Sequence, residues 1–128
     1  MLTCFAFAAA LSAAPMAQIP SLADEVEREA RALTAMSQTA DFQPADLEDF
    51  ADDAMALSTA LRSAGVTQDL PCIFKGISED ARARAADLDH VEATERAMAM
   101  GELRALLDDA ILMAPMAEAA ALEAQRQD

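Results

Sequence analysis

Cys72 is the residue that the sequence favours most strongly for chemistry. It lies in the first turn of a predicted helix, and Lys75 follows three positions later. The positive end of the helix dipole and a nearby ammonium group both favour thiolate over thiol, so this pattern predicts a candidate reactive thiol at Cys72 with Lys75. The apolar neighbours of Cys72 favour a second interpretation, a cysteine that packs as a small apolar side chain: Leu70, Ile73 and Phe74.

An acidic run at 46–53 (DLEDFADD) is the second pattern with possible chemistry. Asp46, Asp49 and Asp53 share one face of a predicted helix and form a possible interaction face. Such a face is solvated in most proteins. Clustered carboxylates also attract basic partners through a salt-sensitive association, or hold divalent cations weakly.

Several kinds of catalytic and cofactor site are excluded by residue counts and spacing. The cysteines are at positions 4 and 72 and the chain has one histidine, so a covalent haem, a helical di-iron site and a structural zinc site all lack ligands. Phosphate-binding glycine loops, nucleophile elbows and EF-hand loops are absent from the sequence. Cys72 and His90 would be about 27 Å apart along one helix, too far for a nucleophile and its base. We predict no cofactor, no metal site and no catalytic residues.

Charge argues against nucleic acid as a partner. The 128 residues include 9 Lys and Arg and 23 Asp and Glu, which gives a formal net charge of −14. Nucleic-acid affinity depends on basic side chains that neutralise phosphates, and anionic lipid headgroups are repelled for the same reason.

Composition predicts an all-α fold with a thin core. Alanine, the strongest helix former, supplies 33 residues, whereas Trp and Tyr are absent and Phe occurs five times. Because large apolar side chains are few for a domain of this size, we expect a protein partner or a homodimer.

The chain divides into an uncharged leader and an acidic body. Residues 1–23 have no charged side chain, and the apolar run at 2–14 is about 20 Å long as a helix, short for a hydrocarbon core of about 30 Å. This pattern predicts a signal peptide at 1–23, cleaved after Ala17 or Ala23, with transient membrane contact during export and a periplasmic or secreted location. A buried helix of the folded domain is the alternative for this stretch.

Amphipathic periodicity predicts a small antiparallel up-down bundle of about four helices at 24–114, followed by an Ala-rich helical tail at 115–128. Pro115 is expected to end or kink the fourth helix near Met113. The other expected boundaries are a cap at Ser21, an end near Thr39, a start at Pro44, a stop before Gly65, a cap at Asp69, a junction at 87–90 and a start at Thr94.

Two functions are compatible with these patterns. The first is a small exported acidic helical bundle that acts without catalysis, through protein interaction or binding by an apolar groove or the acidic face. The alternative is a thiol-dependent redox or stress protein that uses Cys72, which requires an accessible thiol.

Overall fold

The computed structural model describes residues 13–39, 42–66 and 69–126. Within these ranges the chain forms no strand and four helices, α1 (Ala13–Met36), α2 (Asp46–Ser63), α3 (Leu70–His90) and α4 (Ala93–Arg126). Each helix packs against the next, and α4 also packs against α1, so the four helices enclose one core. The predicted all-α four-helix bundle is confirmed. None of these helices is both long enough and apolar enough to cross a bilayer.

Helix α1 begins earlier than the sequence predicts. It starts at Ala13 and passes through Ser21, so the expected cap at Ser21 is wrong. The reason is that the apolar spacing continues toward the N-terminus, where Met16, Ile19 and Ala23 are buried in the core. Both proposed cleavage positions therefore fall inside α1. The cleavage itself stays a prediction, and residues 1–12 of the predicted signal peptide lie outside the described residues.

The boundaries of α2 follow from local hydrogen bonds. Pro44 belongs to a turn before the helix, because the amides of Asp46 and Leu47 bond to carbonyl groups only three residues back. At the other end Gly65 adopts a φ of 76°, which favours glycine. The amide of Val66 then bonds to the carbonyl of Leu61 at 3.1 Å, as expected for a glycine-terminated helix.

Helix α3 closely follows the sequence pattern. Asp69 occupies the position before the helix, without a side-chain capping bond, and Pro71 lies in the first turn. The helix ends at His90 because Val91 adopts an extended conformation with a ψ of 144°. Cys72 and His90 therefore lie at opposite ends of one helix, as the spacing predicts.

Helix α4 does not end at Pro115. It continues to Arg126, so the expected end near Met113 is wrong, whereas the Ala-rich segment after Pro115 is helical through Arg126, as predicted. Proline removes one backbone donor, and packing compensates for this loss, because Ala114, Ala117 and Ala121 are buried while the proline is exposed. A segment that is marginal alone is thus stabilised by tertiary contact.

Small side chains line the contact between α1 and α4. We call this set the alanine seam: Ala23 and Ala30 of α1, with Ala110, Ala114, Ala117 and Ala121 of α4, all buried. The two helices run antiparallel, since Ala23 and Ala114 border one cavity of about 90 Å³ while Arg104 donates to the Ser37 carbonyl oxygen at 3.1 Å further along. Alanine has no rotamers to lose and permits a close approach of the backbones.

The larger side chains of the core lie mainly outside the alanine seam. Three phenylalanines are almost fully buried: Phe42, Phe50 and Phe74. Helix α2 buries one apolar side in full, made of Leu47, Phe50, Ala54, Leu57 and Leu61. Met98 of α4 lies outside the core, since its side chain is 74% exposed.

Two buried serines join α2 to α3. The Ser58 hydroxyl donates to the Pro71 carbonyl oxygen at 2.5 Å, and the Ser78 hydroxyl donates to the Ala51 carbonyl oxygen at 2.6 Å. Because both hydroxyl groups are buried, each must keep its partner to offset the loss of hydration. These bonds fix the register of the helix pair.

We expect Ser78→Ala to lower the free energy of unfolding by about 1 kcal/mol, since it removes one satisfied buried hydrogen bond. Urea unfolding followed by circular dichroism measures this change. The matched control is Ser21→Ala on the exposed side of α1, where the expected change is within about 0.5 kcal/mol. Equal effects at the two positions would contradict a structural role for the Ser78 hydroxyl.

Candidate functional site

A cluster of three carboxylates lies between α1 and α2. Glu25 and Glu29 are one turn apart on α1 and face Asp53 of α2, and one oxygen from each residue lies within 4.8 Å of the others. All three residues are half-buried. We call Glu25, Glu29 and Asp53 the carboxylate cluster. Asp53 is also a member of the predicted acidic face, and the spacing of Glu25 and Glu29 places both on one side of α1.

The carboxylate cluster is electrostatically unfavourable when all its members are ionised. Burial, followed by the neighbouring carboxylates of Asp53 and Glu25, raises the pKa of Glu29 to about 8. The Oε2 atom of Glu29 is buried and has no hydrogen-bond partner among the described residues. A hydrogen bond from Arg28 has the opposite effect at Glu25 and lowers the pKa of that carboxyl group.

The carboxylate cluster can take up a proton at Glu29, and it offers the oxygen ligands that hard cations prefer. Either event would relieve the repulsion among the three groups. Acidic groups of this kind are common on proteins that bind no ion, so proximity alone does not assign a cation site here.

We expect the free energy of unfolding to fall as pH rises from about 4.5 to 8. Glu29 is protonated in the folded chain over this range, whereas the same carboxyl group in the unfolded chain ionises at its ordinary pKa of 4.5. Folding therefore takes up a proton, and this contribution is lost as the pH rises. Solvent screening at the half-buried site reduces the effect to about 1–2 kcal/mol.

The variant Glu29→Gln tests this pH dependence. It should be more stable than the original chain above pH 8 and should show a flatter profile of unfolding midpoint against pH. Glu48→Gln on the exposed side of α2 is the matched control and should leave the profile unchanged. Parallel profiles for the original chain and Glu29→Gln would refute the assignment.

The structure divides the predicted acidic interaction face. Asp53 faces α1 in the carboxylate cluster, whereas Asp46 accepts a hydrogen bond from the Gln43 amide at 3.1 Å. Asp49 is the exposed member of the three. The three residues share a helix side but have different surroundings, and their role as an interaction face stays a prediction.

Cys72 and Lys75 are near each other in sequence but have separate partners. Cys72 is half-buried and disulfide-bonded, and Lys75 lies 3.3 Å from the carboxylate of Glu79. The other cysteine of the sequence, Cys4, lies outside the described residues. Cys72 carries no thiol in this state, so the predicted reactivity requires that the disulfide is first reduced.

A shallow cleft of about 510 Å³ lies where α3 meets α4. Its lining includes His90, Arg84 and Met98. Arg84 pairs with Glu102 at 2.5 Å and with Asp87 at 3.4 Å, so its charge is already used within the fold. His90 is exposed at the C-terminal end of α3.

An apolar strip on the outer side of α4 is the feature with the clearest capacity for binding. It comprises five exposed residues, Leu112, Pro115, Met116, Ala119 and Leu122, which we call the α4 stripe. Leu112 is 66% exposed and Met116 is 52% exposed. These residues lie on the opposite side of the helix from the alanine seam, so this half of α4 is apolar on both sides.

Carboxylates surround the α4 stripe. Between Arg104 and Arg126 the helix has four acidic residues and no Lys or Arg: Asp108, Asp109, Glu118 and Glu123. On the side toward α1, Asp24 and Glu27 line a small cavity together with Pro115 and Glu118. The stripe is therefore an apolar strip with an acidic border.

The carboxylate cluster and the α4 stripe lie on different helix faces and are independent of each other. Comparison of the chain with protein-family models, with curated proteins and with solved structures finds no match.

Proposed function

We propose that this protein is an exported, non-enzymatic interaction module that binds another protein through the α4 stripe. The observation that carries this proposal is the exposure of Leu112 and Met116 on the side of α4 that does not face the core. The acidic face of α2 is a weaker candidate, because the structure leaves only Asp49 of its three residues exposed.

The spacing of the α4 stripe distinguishes it from ordinary surface apolar residues. Single exposed apolar side chains are normal on folded proteins, but positions 112, 115, 116, 119 and 122 follow each other along one side of a helix for about 15 Å. Contiguous apolar patches mark interaction sites. A strip of this form suits side-by-side packing with a helix or insertion into a groove.

One observation supports export. The uncharged apolar run at 2–14 has the length of the apolar core of a signal peptide.

Site-specific photo-crosslinking in the source cell tests the proposed contact. A photoreactive side chain at position 112 should give one discrete adduct, and the additional substitution Met116→Gln should abolish it. The same group at position 98 is the control, since Met98 is equally solvent-accessible but lies outside the α4 stripe. No adduct from position 112, or the same adducts from both positions, would contradict the proposal.

A further inference from the structure

We infer that the occupant of the α4 stripe is an amphipathic helix of another protein, with an apolar face bordered by Lys or Arg. This inference rests on the proposed function and adds the chemistry of the partner. It is derived from the length of the stripe and from the charges that surround it.

The border of the α4 stripe has more negative than positive charge. Asp108 and Asp109 are exposed at its N-terminal end and form no ion pair in the described part of the chain. Glu118, Asp24 and Glu27 lie along the side toward α1, where Glu27 pairs with Arg31 at 3.8 Å. At the C-terminal end of the stripe, the guanidinium of Arg126 is 3.8 Å from Glu123.

These charges make a basic border on the partner favourable. A partner that buries the apolar strip brings its own margins close to this acidic border. Lys or Arg there would gain electrostatic attraction, whereas Asp or Glu would be repelled. A strip of about 15 Å matches about three turns of helix on the partner.

The same charges oppose a second copy of this chain as the occupant. Each chain has a formal net charge of −14, so two copies repel each other at long range. Packing two stripes together would also bring their acidic borders close to each other. Addition of salt would weaken this repulsion and would strengthen a dimer, which is opposite to the salt dependence expected for a basic partner.

Two synthetic helical peptides with one apolar face and different margins provide the test. One has Lys at its margins and the other has Gln at the same positions. Fluorescence anisotropy with the full chain should show that the Lys peptide binds about tenfold more tightly at low salt, with a smaller difference at high salt. The double substitution Asp108→Asn with Asp109→Asn should remove most of this difference, whereas Asp49→Asn on α2 should retain it.

The possible results separate the inferred charge of the partner from the proposed function. If both peptides bind equally and Met116→Gln abolishes both, the charge inference is wrong while the proposed function stands. If neither peptide binds, the inference is also overturned, and crosslinking from position 112 then decides the proposed function separately. If sedimentation shows a concentration-dependent dimer that Met116→Gln disrupts and high salt strengthens, a second copy occupies the stripe and the inference fails.

Discussion

Phe50→Ala should lower the free energy of unfolding by about 3–5 kcal/mol, the usual cost of emptying a buried aromatic site. Phe50 is fully buried in α2, and the described residues include only two other phenylalanines. A core with so few large side chains cannot refill this space by rearrangement. Since small domains are stable by only about 5–15 kcal/mol, the variant should be close to unfolding at 37 °C.

Thermal and urea unfolding followed by circular dichroism measure the effect of Phe50→Ala. The control is Leu112→Ala, which also truncates a large apolar residue, but on an exposed helix face. Leu112→Ala should change the unfolding free energy by less than about 0.5 kcal/mol. A similar loss in both variants would mean that the core does not include Phe50 as described.

A chain that begins at Asp24 should be less stable than the full chain by about 3–5 kcal/mol, because it lacks the buried side chains of Met16 and Ile19. The C-terminal half of α4 should lose helix content as well, since Ala117 and Ala121 pack toward the first half of α1. A chain that begins at Gln18 keeps Ile19 and should lose only about 1–2 kcal/mol.

These two truncations distinguish the proposed cleavage positions. Circular dichroism measures the thermal unfolding midpoint of each truncated chain, and the full chain is the control. If the chain from Asp24 unfolds at the same temperature as the full chain, the first half of α1 contributes nothing to the bundle. Cleavage after Ala23 would then be compatible with a stable protein.

The disulfide gives an independent test of the leader. An intrachain bond at Cys72 requires both cysteines of the sequence, and Cys4 lies in the predicted signal peptide. Removal of that peptide and an intrachain disulfide therefore exclude each other. Intact mass and N-terminal determination of the protein from the cell envelope, with and without reduction, identify which state exists.

Local signals in the sequence are enough to predict the middle of this fold. Pro71 and Gly65 mark helix boundaries through their own backbone preferences, and the apolar spacing of α2 depends on one helix only. The order of the helices and the up-down arrangement follow from short connections. These features need no knowledge of distant contacts.

The errors occur where distant contacts override local preference. Pro115 disfavours a helix locally, but the alanine seam holds α4 together across it. Ser21 resembles a cap, but burial of Met16 and Ile19 extends the helix past it. The carboxylate cluster is not evident from the sequence for the same reason, because Glu29 and Asp53 come together only through the register of α1 against α2.

The alanine seam also makes the outer surface of α4 sensitive to changes inside the molecule. The side chains of the alanine seam are methyl groups, which have no alternative rotamer. A bulkier residue at Ala114 or Ala117 is therefore accommodated only by a shift of the helix axis. A shift of α4 also displaces Leu112 and Met116. A substitution hidden from every partner could thereby alter what this protein recognises, without touching a single atom of the recognition surface.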